Sequence, residues 1–289
     1  MRKVNVCKIL SMILCLSLLL ANSMMVSAKE KGETTDVKVL LENAVVKAAA
    51  EQAFSLSLDE VDSQEIELLF CSDGPNHTHQ YIVNSAVLIL AKDQGTSKFN
   101  ETQYLTILRN YTDWPDVIGN ETDYLTFAGH FYDPSTGKNW LGQKSPTAKT
   151  RGVSYYNKAV TAYRSGNISL AFQYIGIGSH YVSDINEPHH ASNLTAINSN
   201  HTEFEEYVDA NRTSFIIPGN TLPASAYTEA KAVAVGDLLH AGAVYSKSLA
   251  NLAQNNSTYY AAGNLCVKHA ILNVTQYFYK FGVEVGIYQ

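Results

Sequence analysis

From His79 onward the apolar positions of the chain recur mostly at three- and four-residue intervals, the period of a helix with one buried face. Tyr81, Ile82, Ser85, Ala86, Ile89 and Leu90 form the first stripe, with His79 in the opening turn of its helix. Gln103 to Asn110 reads as a second helix. Pro146 to Arg164 and Asn167 to Asp184 follow, separated by Gly166 as a terminator, with Asn167 as N-cap. A short helix from about Asn200 to Ala210 and two long ones, Ala224 to Ala253 and Thr258 to Val283, complete the series. Alternating runs of Val, Ile and Thr are almost absent, so the expected fold is all-α, a single multi-helix bundle.

Two stretches break the pattern between the helices. In Asn110-Tyr-Thr-Asp-Trp-Pro-Asp-Val-Ile-Gly-Asn, Pro115 places Asp116 in a loop or at a helix start. Thr126-Phe-Ala-Gly-His-Phe-Tyr-Asp-Pro is too rich in glycine, proline and aromatics to be regular structure, and it carries His130.

The N-terminal quarter differs. Arg2 and Lys3 precede an apolar run from Ile9 to Leu20, and Val26-Ser27-Ala28 supplies small residues suited to a signal peptidase, so residues 1–28 are expected to direct secretion. An uncleaved anchor over Val4 to Val26 is the alternative. Residues 29–69, with an amphipathic helix near Val37 to Ala53, read as a prosegment or N-terminal extension, and 70–289 as the catalytic domain.

The chain has 289 residues, 46% hydrophobic and 17% charged, enough for one sizeable core. Loss of residues 1–28 removes Arg2, Lys3 and Lys8, leaving 18 basic against 27 acidic side chains and a formal charge of −9 in place of −6. That balance disfavours nucleic acid and anionic membranes as electrostatic partners. Cys7 and Cys15 leave with the signal; whether Cys71 and Cys266 pair is open.

Chemistry concentrates between Gly176 and Asn193. His180 and Asp184 lie at i and i+4 on one apolar helix face, and Pro188 throws His189 and His190 into a turn. A buried imidazole and carboxylate one turn apart are satisfied either by an ordinary hydrogen bond or by a divalent metal. His201 and Glu205 repeat the spacing in the short helix. The full candidate set is His79, Asp116, His130, His180, Asp184, His190, His201 and Glu205. Five imidazoles and three carboxylates without a thiolate suit zinc in hydrolytic sites, and eight donors imply at least two ions. His240 and His269 lack an acidic partner at i±4 and are set aside as core or surface residues. His77 and His189, each beside a better candidate, are expected to support a ligand or face solvent.

His180-x3-Asp184-x5-His190-Ala-Ser-Asn, His201-x3-Glu205-x-Tyr-Val-Asp, His130-Phe-Tyr-Asp-Pro and His79-x3-Val-Asn together resemble the zinc-dependent phospholipases C from about Pro75 to Tyr279. That family comprises bacterial phosphatidylcholine-preferring enzymes and the catalytic domain of the alpha-toxins, with fungal single-strand nucleases as distant relatives. The resemblance implies three zinc ions in a cleft. One would take Asp116, His130, His180 and Asp184; a second His190, His201, Glu205 and water; a third His79, a bridging Asp184 and the mature N-terminal residue. It further implies hydrolysis of the glycerol-side phosphodiester of a phospholipid at a membrane or micelle surface, with Asp116 orienting or deprotonating the attacking water. No stable protein partner is implied.

The sequence departs from the family in three ways. No Trp precedes His79 to serve as the mature terminus, and cleavage before Phe70 would supply the nearest aromatic. Phe127 matches an aromatic wall of the head-group pocket, but Val117 stands where a tyrosine is expected. The chain ends inside the catalytic match, so the alpha-toxins' C-terminal membrane-binding β-domain is not expected. Two other readings stay open: a secreted nuclease or nucleotidase of related fold, and a non-catalytic zinc-binding protein.

Overall fold

The helix that carries His180 and Asp184 lies at the centre of the described helices. The computed structural model describes residues 77–289 apart from 118, 122, 124 and 125. Its α-helices are α1 (Thr78–Gln94), α2 (Thr102–Thr112), α3 (Ala148–Arg164), α4 (Ile168–Ile185), α5 (His201–Asn211), α6 (Ala224–Ala232), α7 (Val235–Ser248), α8 (Ala250–Ala253) and α9 (Tyr259–Glu284). All lie within the compact unit of residues 67–123 and 127–289. The fold is all-α: among the described residues, pairing of extended backbone is limited to an isolated bridge between Asp133 and Lys138. No described helix is long and apolar enough to cross a membrane. The segments assigned to a signal and a prosegment, Phe70 and Cys71 lie outside the described residues, whereas Cys266 is buried in α9.

α4 packs against α2, α3 and α9. Gly166, at φ 83°, ends the preceding helix, and the Asn167 side chain accepts from Leu170 N at 3.3 Å to start α4. From Ile175 to Ile185 every residue is buried, as expected of a helix surrounded by others. Gly178 makes that possible. A Cβ there would lie 2.0 Å from the Tyr277 hydroxyl oxygen and 2.9 Å from its Cζ, and Tyr277 is itself fully buried and donates to Gly152 O at 2.8 Å. Gly178→Ala is expected to cost about 1–3 kcal/mol or more by forcing this rigid ring aside. Thermal denaturation checks this; an unchanged melting temperature contradicts the close approach.

The stripes around α4 form one core, in which Phe99 packs on Phe172 and Phe278 at 5.1 and 5.2 Å between ring centres. α1 is tied to α5 at its first turn, because Asp209 Oδ1 accepts from both the backbone and the hydroxyl of Thr78 at 2.8 and 2.7 Å. An aspartate from another helix thus caps α1 and fixes His79 beside α5.

One expected helix is divided. Residues 224–253 form α6, α7 and α8, with Val233 and Ala234 extended (ψ 152° and 147°) between the first two. Neither is a helix breaker. The bend lets α6 lie on α9 while α7 reaches α3 and α4 as well, and Asp237 in the first turn of α7 favours the new N-terminus.

Candidate metal centre

The eight candidate ligands reach one buried region from six places in the chain. His79 comes from the first turn of α1, and Asp116 from the single turn Trp114–Asp116 that follows α2 across Pro115. His130 ends the turn Ala128–His130, His180 and Asp184 project from α4, His190 opens the turn after Pro188, and His201 and Glu205 sit on α5.

Backbone carbonyls orient two of the rings. Thr112 O accepts from His180 Nδ1 at 2.7 Å, and His130 O accepts from His190 Nδ1 at 2.9 Å. Each ring's Nε2 is thereby turned inward as the group that can offer a lone pair. His130 is held through its loop: Asp123 accepts from Gly129 N at 2.7 Å while pairing with Arg151 of α3 at 2.5 and 2.9 Å. Glu121, next to it, accepts from the hydroxyls of Tyr155 and Tyr181.

Four atoms of the first group face one another. His130 Nδ1 lies 3.0 Å from His180 Nε2, 3.0 Å from Asp184 Oδ2 and 3.6 Å from Asp116 Oδ1. His180 Nε2 lies 3.2 Å from the same Asp184 oxygen and 3.3 Å from the same Asp116 oxygen. Donors about 2.0–2.2 Å from a tetrahedral zinc are separated from one another by about 3.3–3.6 Å. These five edges fall at or slightly below that value, so His130 and His180 can share an ion with Asp116 on one side and with Asp184 on the other.

A second group comprises Glu187, His190, His201 and Glu205. Glu205 Oε1 is 2.8 Å from His201 Nε2 and 3.4 Å from His190 Nε2. The other oxygen, Oε2, is buried without a hydrogen-bond partner, as suits a carboxylate waiting for a cation. Asp184 links the first group to His79, its Oδ1 lying 3.8 Å from His79 Nε2, and it also lies 3.6 Å from Nδ1 of the His190 ring. The His79 ring lies on that of His180 at 4.2 Å, and Asp116 Oδ2 is 3.9 Å away.

Without a cation, protons must hold this many donors together. Burial works against a charge on His180, but Asp116 and Asp184 outweigh it and hold it up at about 9. Burial likewise opposes the charge on His190, and Asp184, Glu205 and Glu187 raise it to about 10. Burial pushes Glu205 up, yet His201 and His190 draw it down to about 2. Burial and the neighbouring His180 keep His79 well below the usual histidine value.

Glu187 was not singled out in the sequence, since it sits in a turn where no spacing ties it to a partner. Other histidines separate as follows. His189, one of the two set down as supporting or solvent-facing, is wholly buried and donates to Glu187 Oε1 at 2.8 Å. His77 is buried 3.0 Å from Asp113. His240 bonds the Tyr132 hydroxyl and His269 bonds Asn186, both apart from the three groups. Phe127 adopts a left-handed backbone (φ 48°) and rests its ring against His130, 5.4 Å between centres.

The chain is similar to known proteins. A phospholipase C from Bacillus cereus is 31% identical over 183 residues, 61% of this chain and 62% of its own length. One from Listeria monocytogenes is 34% identical over 155 residues, 50% of this chain and 53% of its own. The matches therefore span between half and two thirds of these relatives' length. Among solved structures, the alpha-toxin of Clostridium absonum superposes with a TM-score of 0.62 at 25% identity, over 74% of this chain and 65% of the toxin. Residues 78–265 match the family described as zinc dependent phospholipase C, and they include every one of the eight candidate ligands. The chain belongs to the zinc-dependent phospholipase C family.

Proposed function

We propose that the protein is a secreted phospholipase C that cleaves the glycerol-side phosphodiester of phospholipids such as phosphatidylcholine, releasing diacylglycerol and a phosphorylated head group. The observation that carries this is the buried cluster in which Asp116, His130, His180 and Asp184 converge beside a second donor group of His190, His201 and Glu205. Two to three zinc ions would occupy the groups, the third with His79 and the new N-terminus. Zinc held there would supply Lewis acidity to the phosphate oxygens and acidify water. Asp116 is the least enclosed of its four donors, at 6% side-chain exposure, and its carboxylate takes the proton of the attacking water. His180 and His190, fixed by carbonyls, hold their rings in place through the reaction. Phe127, against His130, is the aromatic side chain offered to the head group. Residues 1–28 would send the chain out of the cell.

Parallel assays on phosphatidylcholine micelles and single-stranded DNA test this. Lipid hydrolysis abolished by a chelator and restored by zinc is expected; cleavage of DNA without cleavage of lipid overturns the substrate class.

Zinc affinity is expected to depend on pH in a defined direction. In the metal-free protein His180 and His190 stay protonated until the pH passes about 9 and about 10. These raised values stabilise the metal-free fold fully below about 6.5, the ordinary imidazole value, and that contribution is lost as pH rises through the folded values. Zinc requires the deprotonated rings, so binding releases protons near pH 7 and affinity rises from pH 6 towards 9. Calorimetry in buffers of different ionisation enthalpy measures the release; an affinity flat over that range contradicts it.

A further inference from the structure

Glu187 follows α4 in the turn before Pro188 and has no solvent exposure. Its carboxylate is held from two sides. His190 N donates to Oε2 at 2.6 Å, and His189 Nδ1 donates to Oε1 at 2.8 Å. His189 is fixed in turn: its Nε2 faces Asn200 Oδ1 at 3.2 Å, and its ring lies parallel to that of His201, 5.1 Å away. The Asn200 amide is anchored by donating to Ala253 O at 3.0 Å and to the Tyr259 hydroxyl. This chain of contacts leaves Glu187 Oε2 3.8 Å from His201 Nε2, with a carboxylate oxygen of Glu187 within 4.8 Å of donor atoms of both His190 and Glu205.

The His190 N–H occupies one lone pair of Oε2, yet the same oxygen also lies 3.8 Å from His201 Nε2 beside a second buried carboxylate, a position that a counter-charge to His189 alone does not require. Two such groups beside the same imidazoles repel each other unless a cation lies between them. Two imidazoles and two carboxylates form a neutral donor set for a divalent ion, and a fourth protein donor fills the position that three would leave to water. We propose that Glu187 is a fourth protein donor to the second zinc ion, beside His190, His201 and Glu205, with His189 as its positioning residue. This rests on the reading that zinc occupies that group.

The test compares the full chain with its Glu187→Gln variant, which keeps shape and removes charge. Zinc retained after dialysis against graded chelator is measured, and both proteins are melted metal-free and zinc-loaded. The metal-free variant is expected to melt at or below the parent's temperature, because the carboxylate that accepts from His190 N and His189 has lost its charge. Zinc should then raise its melting temperature less than the parent's, and one ion should be released at about 10-fold lower chelator concentration. His189→Gln should shift the release in the same direction by a smaller factor. Equal release curves and equal zinc-induced shifts overturn the proposal. So does a lowered metal-free melting temperature with an unchanged zinc-induced shift, which marks a residue that only shapes the turn. A parent chain that takes up no zinc overturns the proposed function itself, and this inference with it.

Discussion

Asp184→Asn is expected to lower phospholipid turnover by about 10³-fold or more and to strip zinc from more than one group at once. Asp184 is shared: Oδ2 lies 3.0 Å from His130 Nδ1 and 3.2 Å from His180 Nε2, while Oδ1 faces His190 at 3.6 Å and His79 at 3.8 Å. Asparagine keeps the size but supplies a single accepting oxygen and no charge. Several kcal/mol of transition-state stabilisation from a metal, about 4, correspond to a factor of about 10³. Metal analysis and turnover of the purified variant measure the two losses together. A variant that keeps full zinc and loses only activity would mean that Asp184 is not shared between ions.

Asp116→Asn should separate catalysis from metal binding. Three donors of its group, His130, His180 and Asp184, remain mutually within 3.0–3.2 Å, so zinc is expected to stay and the fold with it. Loss of a general base costs on the order of 10²–10⁴ in rate. The expected result is turnover down by that factor with near-normal zinc content and melting temperature. Full activity with normal zinc would remove Asp116 from the proton transfer.

How far the sequence led depends on where each residue sits. His180 with Asp184 and His201 with Glu205 were legible as pairs, because helical periodicity alone fixes which side chains share a face. His79, Asp116 and His130 were recognisable by residue type, but turns have no period, so their grouping came only from resemblance. Glu187 escaped for the same reason: its direction is set by the hydrogen bond from His190 N and by His189, neither of which a spacing rule encodes. In the fold, Gly166 and Asn167 marked a helix boundary correctly because their local chemistry decides it. The break at Val233 and Ala234 was hidden, since packing of α6 and α7 overrides two residues that would otherwise continue a helix.

The most direct test of the central claim is anomalous diffraction at the zinc edge from crystals of the purified protein. Strong peaks are expected inside the four atoms Asp116 Oδ1, His130 Nδ1, His180 Nε2 and Asp184 Oδ2, and among His190, His201 and Glu205. Density showing these side chains bonded only to one another and to water, with no anomalous peak at either position in zinc-supplemented crystals, would contradict it.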